Sequence, residues 1–388
     1  MSDVSIVMMA ILSLSWLLSK SKLRKKVKVY MWTVIVLLAV VSVFFDPVVS
    51  YTKYGDYSDL YRFYYDMDIF KLRGFSAPEY LFQTPYSSIP IIKVFTYLVA
   101  ITGNKRLFQL FACIITYGAI SRLLLKIQDD YKLKDSLVSF AFLAFILMND
   151  LSTVLGNMRM PVGMALFTLI LYYDLRSEKK KWMYILMYFL LGLIHSIFFV
   201  FLALRILLFL CNKYSVMGIC IATFAGGTLL NVVNSFNIGF GGIYVEQILL
   251  KIAYYTRDDI ANHQDILFVI ISISRYLLCA MLLFHNRKKN EALGNFFVHF
   301  NNFALISLFF GLGAYWNFHL FTRMGNFMVY VIVILLIEDR MQGINAGVDK
   351  IRCVTRKRGL FYYFQYAIIV INALYLCLSH HYQMMHFI

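Results

Sequence analysis

Charge is scarce in this chain, and acidic charge is the scarcer sign. Charged residues occupy 15% of its 388 positions. Soluble domains carry about 25%, so an ordinary soluble domain of this size is excluded. The six cysteines are Cys113, Cys211, Cys220, Cys279, Cys353 and Cys377. They form no CxxC pair and lie mostly in apolar segments, which points away from a disulfide framework and from a zinc site. GxGxxG, GxxxxGKS/T, HExxH and GxSxG are all missing. The chain is therefore not a recognisable dehydrogenase, ATPase, zincin or serine hydrolase, and no cofactor is expected. The first 19 residues lack a basic leader and a small-residue cleavage site, so they read as a first span and not as a cleaved signal peptide. No internal repeat is visible, which argues against a secondary transporter built from inverted halves.

What the chain does have is apolar surface: 61% hydrophobic residues and a mean hydropathy of +0.69. Apolar runs recur along the whole length, and the short alternating segments of an outer-membrane barrel are absent. The expected fold is all-α and polytopic, a single integral membrane domain over 1–388. About twelve spans are expected, near 4–19, 29–45, 107–125, 136–150, 161–175, 182–194, 196–211, 214–231, 266–284, 295–312, 323–337 and 360–378. Aromatic residues make up 17%, suited to interfacial belts and to sugar stacking.

The basic residues then sort to one side. Lys20, Lys22, Arg24, Lys25, Lys26 and Lys28 share the first loop; Arg176, Lys179, Lys180 and Lys181 share another. Arg287, Lys288 and Lys289 follow, then Lys350, Arg352, Arg356, Lys357 and Arg358. The positive-inside rule makes this side cytoplasmic and explains most of the +16 net charge without nucleic acid. Both termini and two long loops, about 46–106 and 232–265, fall outside. The segment IPIIKVFTYLVAITG (89–103) would flip every later loop if it crossed, so it reads as a re-entrant or interfacial helix.

Against that frame some charges stand out. Arg159 opens the span 161–175 from the outer side, and Arg323 opens the span 323–337. Each reads either as an anchor whose head snorkels to water or as a planar fork for a phosphate or diphosphate. Positive-inside sorting disfavours outer arginines, which supports the second reading. His195, at an outer turn, suits a base near neutral pH or a donor to phosphate. Arg275, deep in an apolar segment, is a further binding candidate, because such a charge faces a cavity or a partner. Arg205, near a cytoplasmic end, reads as a snorkelling residue. The first outer loop interleaves Asp46, Asp56, Asp59, Asp66 and Asp68 with tyrosines. That mix reads as a solvated interfacial loop or as a glycan groove of hydroxyl-binding carboxylates and stacking rings. Asp66-Met67-Asp68 is the nearest thing to a metal motif, and no metal site is expected from it.

At these residues the chain resembles the EpsG-like branch of the Wzy O-antigen and exopolysaccharide polymerases. Lys53-Tyr54-Gly55-Asp56-Tyr57 is similar to that family's outer R-Y-G-x-D-Y motif, with Lys53 in place of the usual Arg. Ala77-Pro78-Glu79-Tyr80 loosely matches its E-P-G-F element, with Glu79 after the proline instead of before it. Asn157-Met158-Arg159 through Gly163 and Ala165 looks like its N-x-x-R-x-x-x-A motif. Ile194-His195-Ser196 looks like the end of its apolar span, and Thr322-Arg323-Met324 like its late arginine. The resemblance implies a multi-pass transferase of a bacterial inner membrane with its active site facing the periplasm. It implies a growing glycan moved from undecaprenyl diphosphate to a lipid-linked repeat unit, with membrane lipids and a chain-length regulator as partners. Arg159, His195 and Arg323 would be catalytic; Lys53, Asp56, Tyr57, Asp59, Arg62, Glu79 and Arg275 would bind substrate. The alternatives are a lipid-linked oligosaccharide flippase, whose charges should line a central cavity, and a membrane O-acyltransferase, which would use a catalytic His with cytoplasmic arginines.

Overall fold

Helices run here wherever apolar residues continue, and they stop where a turn residue intervenes. The computed structural model describes residues 3–20, 26–47, 59–72, 90–149, 151–177, 181–212, 215–233, 266–286, 293–345, 351–378 and 385–387. These hold α1 (Asp3–Lys20), α2 (Val27–Ser42), β1 (Phe45–Pro47), α3 (Asp59–Leu72), α4 (Pro90–Ile101), α5 (Leu107–Tyr131) and α6 (Asp135–Met148). They continue with α7 (Leu151–Gly156), α8 (Arg159–Arg176), α9 (Lys181–Gly192), α10 (Ile197–Leu207) and α11 (Val216–Val233). The chain ends with α12 (Ile266–Asn286), α13 (Asn295–Gly313), α14 (Phe318–Asn345), α15 (Ile351–Leu378) and β2 (Met385–Phe387). Among the described residues, four helices are long and apolar enough to cross a membrane: Leu107–Tyr131, Val269–Asn286, Asn295–Trp316 and Phe318–Met341. Further apolar helices are shorter.

α2 shows the pattern. Tyr30, Met31, Val34, Ile35 and Leu38 are buried, while Val29, Trp32, Val36 and Val40 form an exposed stripe. A helix apolar on both its packed and its open face fits a lipid surround. Punctuation is local. α5 stops at Lys132, which takes a left-handed conformation at φ 53° and returns its N–H to the Gln128 carbonyl. Gly103, at φ 73°, turns the chain after α4, and Asn104 Oδ1 accepts the Arg106 N–H at 3.1 Å to start α5.

The chain divides into two compact units: Met1–Phe199 with Ile369–Ile388, and Val200–Ile368. In the first unit α5 packs against both α2 and α8, and α3 lies on α4 and α7. Tyr30 meets Phe142 edge-on at 6.1 Å, and Tyr117 meets Phe145 at 6.0 Å. β1 pairs antiparallel with β2, Phe45 opposite Phe387, so the last described residues lie beside the end of α2. Gln109 Nε2 donates to the Phe45 carbonyl at 2.5 Å. At the opposite end of α5, Asp130 accepts from Lys126 at 3.0 Å, from Tyr172 at 2.5 Å and from Arg176. The buried Tyr188 hydroxyl donates to Asp174 at 3.0 Å and ties α9 to α8.

In the second unit α12 packs on α14 and α11 on α13. The α11–α13 crossing requires Gly313, because a Cβ there would meet the Phe224 carbonyl oxygen. Glu338 is fully buried and accepts from Asn301 at 2.9 Å and Asn286 at 3.2 Å. Several helix boundaries differ from the sequence expectation, such as α15, which begins at Ile351 and not at 360, and one of them moves a site residue. The span expected from 323 begins at Phe318, because Asn317 Oδ1 accepts the Leu320 N–H at 3.1 Å and caps the helix early. Arg323 therefore lies inside α14 and not at its mouth.

Candidate functional site

The first unit builds its most distinctive constellation around the start of α8. Arg159 is the first residue of that helix, and no side chain of the cap residue Met158 bonds to it. A cation there opposes the helix dipole, and an anion relieves it. Asp59, the first residue of α3, supplies that anion. Arg159 Nη2 donates to Asp59 Oδ1 at 2.7 Å and Nε donates to Oδ2 at 3.1 Å, a bidentate pair. The two side chains are only 12% and 10% exposed. Phe63, one turn along α3, sets its ring 5.9 Å from the guanidinium. Burial raises the Asp59 pKa, but the Arg159 charge and hydrogen bonds, helped by Arg62, outweigh it. The carboxyl stays below the ordinary carboxylate range and ionised at neutral pH.

His195 is brought to the same end of the unit. Gly163 lies one turn below Arg159, and a Cβ there would overlap the Phe198 ring, so only glycine lets Phe198 seat against α8. Phe198 in turn meets the His195 ring edge-on at 6.4 Å. His195 Nδ1 accepts the Ile197 N–H at 3.2 Å, which caps α10 and leaves the proton of the neutral imidazole on Nε2. His195 is 8% exposed. Phe198 thus touches both the His195 ring and the α8 backbone at Gly163.

The carboxylates of Asp46, Asp66 and Asp68 are shared out among lysines and an arginine. Asp66 pairs with Lys93 of α4 at 2.5 Å, both side chains buried. Asp68 pairs with Lys105 at 2.5 Å, and Asp46 with Arg106 at 3.7 Å. Asp66 and Asp68 therefore serve two different lysines. Among the described residues, no three His, Cys, Asp or Glu side chains gather as a metal-holding group. Tyr64 donates to Gln109 Oε1 at 3.1 Å, and Lys105 lies 5.4 Å from its ring. Burial, with the nearby Asp46 charge, raises the Tyr64 pKa, so it stays a neutral donor.

The second unit holds a separate cationic group. Arg275 of α12 is buried and donates through Nη1 to Asn326 Oδ1 of α14. His319, Arg323 and Asn326 share one face of α14 by their spacing. Arg205 packs over the Phe209 ring at 4.4 Å.

Of the residues singled out in the sequence, Asp59, Arg159 and His195 come to one end of the first unit, with Arg62 half-buried beside them. Arg275 and Arg323 belong to the second unit. Lys53, Asp56, Tyr57 and Glu79 lie outside the described residues. Sequence reasoning missed Phe63, Lys93, Phe198, His319 and Asn326. For Lys93 there was a signal: a single charge inside an otherwise apolar segment. Comparison with family models, curated proteins and solved structures finds no match to this chain.

Proposed function

We propose that the protein is a polysaccharide polymerase that transfers a growing glycan from undecaprenyl diphosphate to a lipid-linked repeat unit, at the periplasmic face of a bacterial inner membrane. The observation that carries the reading is Arg159, an arginine fork at a helix N-terminus already seated on a carboxylate, with His195 at the same end. That combination is suited to an anionic oxygen pair such as a phosphate presents.

In the reaction, the bond from the sugar's anomeric carbon to the phosphate oxygen breaks. A bond to the acceptor hydroxyl oxygen forms, the hydroxyl proton passes to water, and the lipid diphosphate departs with an added negative charge. Arg159 would neutralise diphosphate charge without a metal or a nucleotide. With Nδ1 engaged by the Ile197 amide, His195 would act through Nε2–H as a donor to phosphate. Within the second unit, Arg323 and Arg275 would be anion-binding cations in their own right. A chain-length regulator and membrane lipids are the proposed partners.

Twelve spans with a non-crossing α4 fit this reading. Lys93 of α4 is fastened to α3. The pairing of β1 with β2 supports the reading, since the proposed ten spans between residues 47 and 385 return the chain to the same side. The test is a reconstitution: purified protein with a polyprenyl-diphosphate-linked repeat unit should build long chains. Arg159→Ala, inserted and monodisperse, should leave single repeats. Full-length chains from that variant would end the assignment.

A further inference from the structure

The Asp59 carboxylate does more than balance a charge. It occupies, with both oxygens, the Nε–Nη2 edge of Arg159 at the first turn of the 18-residue α8. Two anionic oxygens on that edge are what a phosphate would place there. Both partners are nearly enclosed, so an arginine left alone there would be a buried uncompensated cation. Asp59 is also the end residue of α3, while the rest of α3 is held elsewhere. Asp66 is bonded to Lys93, Phe63 packs on Phe108 at 4.6 Å, and Phe70 on Tyr97 at 5.4 Å. The Asp59 side chain can thus turn away from Arg159 while these contacts keep the helix docked.

We infer that Asp59 is an internal stand-in for substrate phosphate: it fills the Arg159 fork in the empty protein, and a phosphate group of the lipid-linked substrate displaces it. This rests on the reading of Arg159 as a phosphate-binding residue. It changes the role of Asp59 from a ligand for sugar hydroxyls to a competitor that is exchanged during each cycle. The competition keeps the empty site folded, and it weakens the hold on the diphosphate lipid that must leave after transfer.

The experiment measures binding of farnesyl diphosphate and, separately, of inorganic pyrophosphate to the purified full chain in nonionic detergent micelles. The proteins are wild type, Asp59→Asn, Asp59→Glu and Arg159→Ala. Removing the competing charge while keeping its shape should tighten farnesyl diphosphate binding about tenfold, the scale of one close charge pair. Asp59→Glu keeps the charge and should stay within about threefold of wild type, which separates charge from a general packing defect. Equal tightening for inorganic pyrophosphate supports exchange at a site that reads the phosphates alone. Tightening for the prenyl compound only supports exchange at a site that also reads the lipid. Unchanged or weaker binding in Asp59→Asn, with binding lost in Arg159→Ala, overturns the stand-in role and leaves the proposed function intact. Wild-type binding in Arg159→Ala removes Arg159 from phosphate recognition, and both fall.

Discussion

Lys93→Met should undo the seating of α4 on α3. Lys93 is 1% exposed and Asp66 10%, with Nζ and Oδ2 2.5 Å apart. At an effective dielectric of ~20, a pair at that distance attracts by about 7 kcal/mol before desolvation is subtracted. The net value of the pair is smaller, but removing one partner strands the other. Breaking a buried pair in this way costs about 3–5 kcal/mol. Methionine fills most of the lysine volume, so little of that loss is cavity. The expected fall in melting temperature for a chain of this length is about 4–6 °C, read by circular dichroism in detergent. The decisive comparison is the double variant Asp66→Leu/Lys93→Met. With neither charge left to bury, it should recover most of the loss. A single variant that melts with wild type, or a double variant no better than the single, would refute the claim that α4 is held by this ion pair.

Three more outcomes follow from the geometry. Gly163→Ala drives a methyl group into the Phe198 ring, an overpacking cost of about 1–3 kcal/mol; Phe198→Leu in the same chain should restore the melting temperature. Glu338→Leu leaves the Asn286 and Asn301 amides facing an apolar side chain and should destabilise by about 1–3 kcal/mol, with Glu338→Gln milder in the same melt. Asp59 has a lowered folded pKa, so its pair with Arg159 is fully stabilising above the ordinary carboxylate range and is lost only as pH falls through the folded value. The melting difference between wild type and Asp59→Asn should therefore be flat from about pH 5.5 to 8 and shrink only in stronger acid.

The sequence made some of this legible and hid the rest for physical reasons. Apolar runs located the helices, and Arg159 and His195 stood out because polar groups are costly beside apolar spans. The partner of Arg159 was not readable, since Asp59 is 100 positions away and any of five loop aspartates suited it. The wedge of Phe198 against Gly163 was hidden because one phenylalanine among 35 carries no mark. The position of Arg323 within α14 turned on a single cap, Asn317, which extends a helix that hydropathy would begin later. The tyrosines and aspartates that suggested a sugar groove include several whose polar atoms bind neighbouring side chains: Tyr64 on Gln109, Asp66 on Lys93 and Asp68 on Lys105.

The most direct test of the polymerase reading is the ladder of surface polysaccharide on a gel, from cells lacking this gene and from cells carrying Arg159→Ala. Both should collapse to a lipid core bearing one repeat unit, showing that export continues while polymerisation stops. An unchanged ladder in Arg159→Ala would make that arginine an anchor, and loss of every repeat from the surface would point to transport across the membrane as the protein's task.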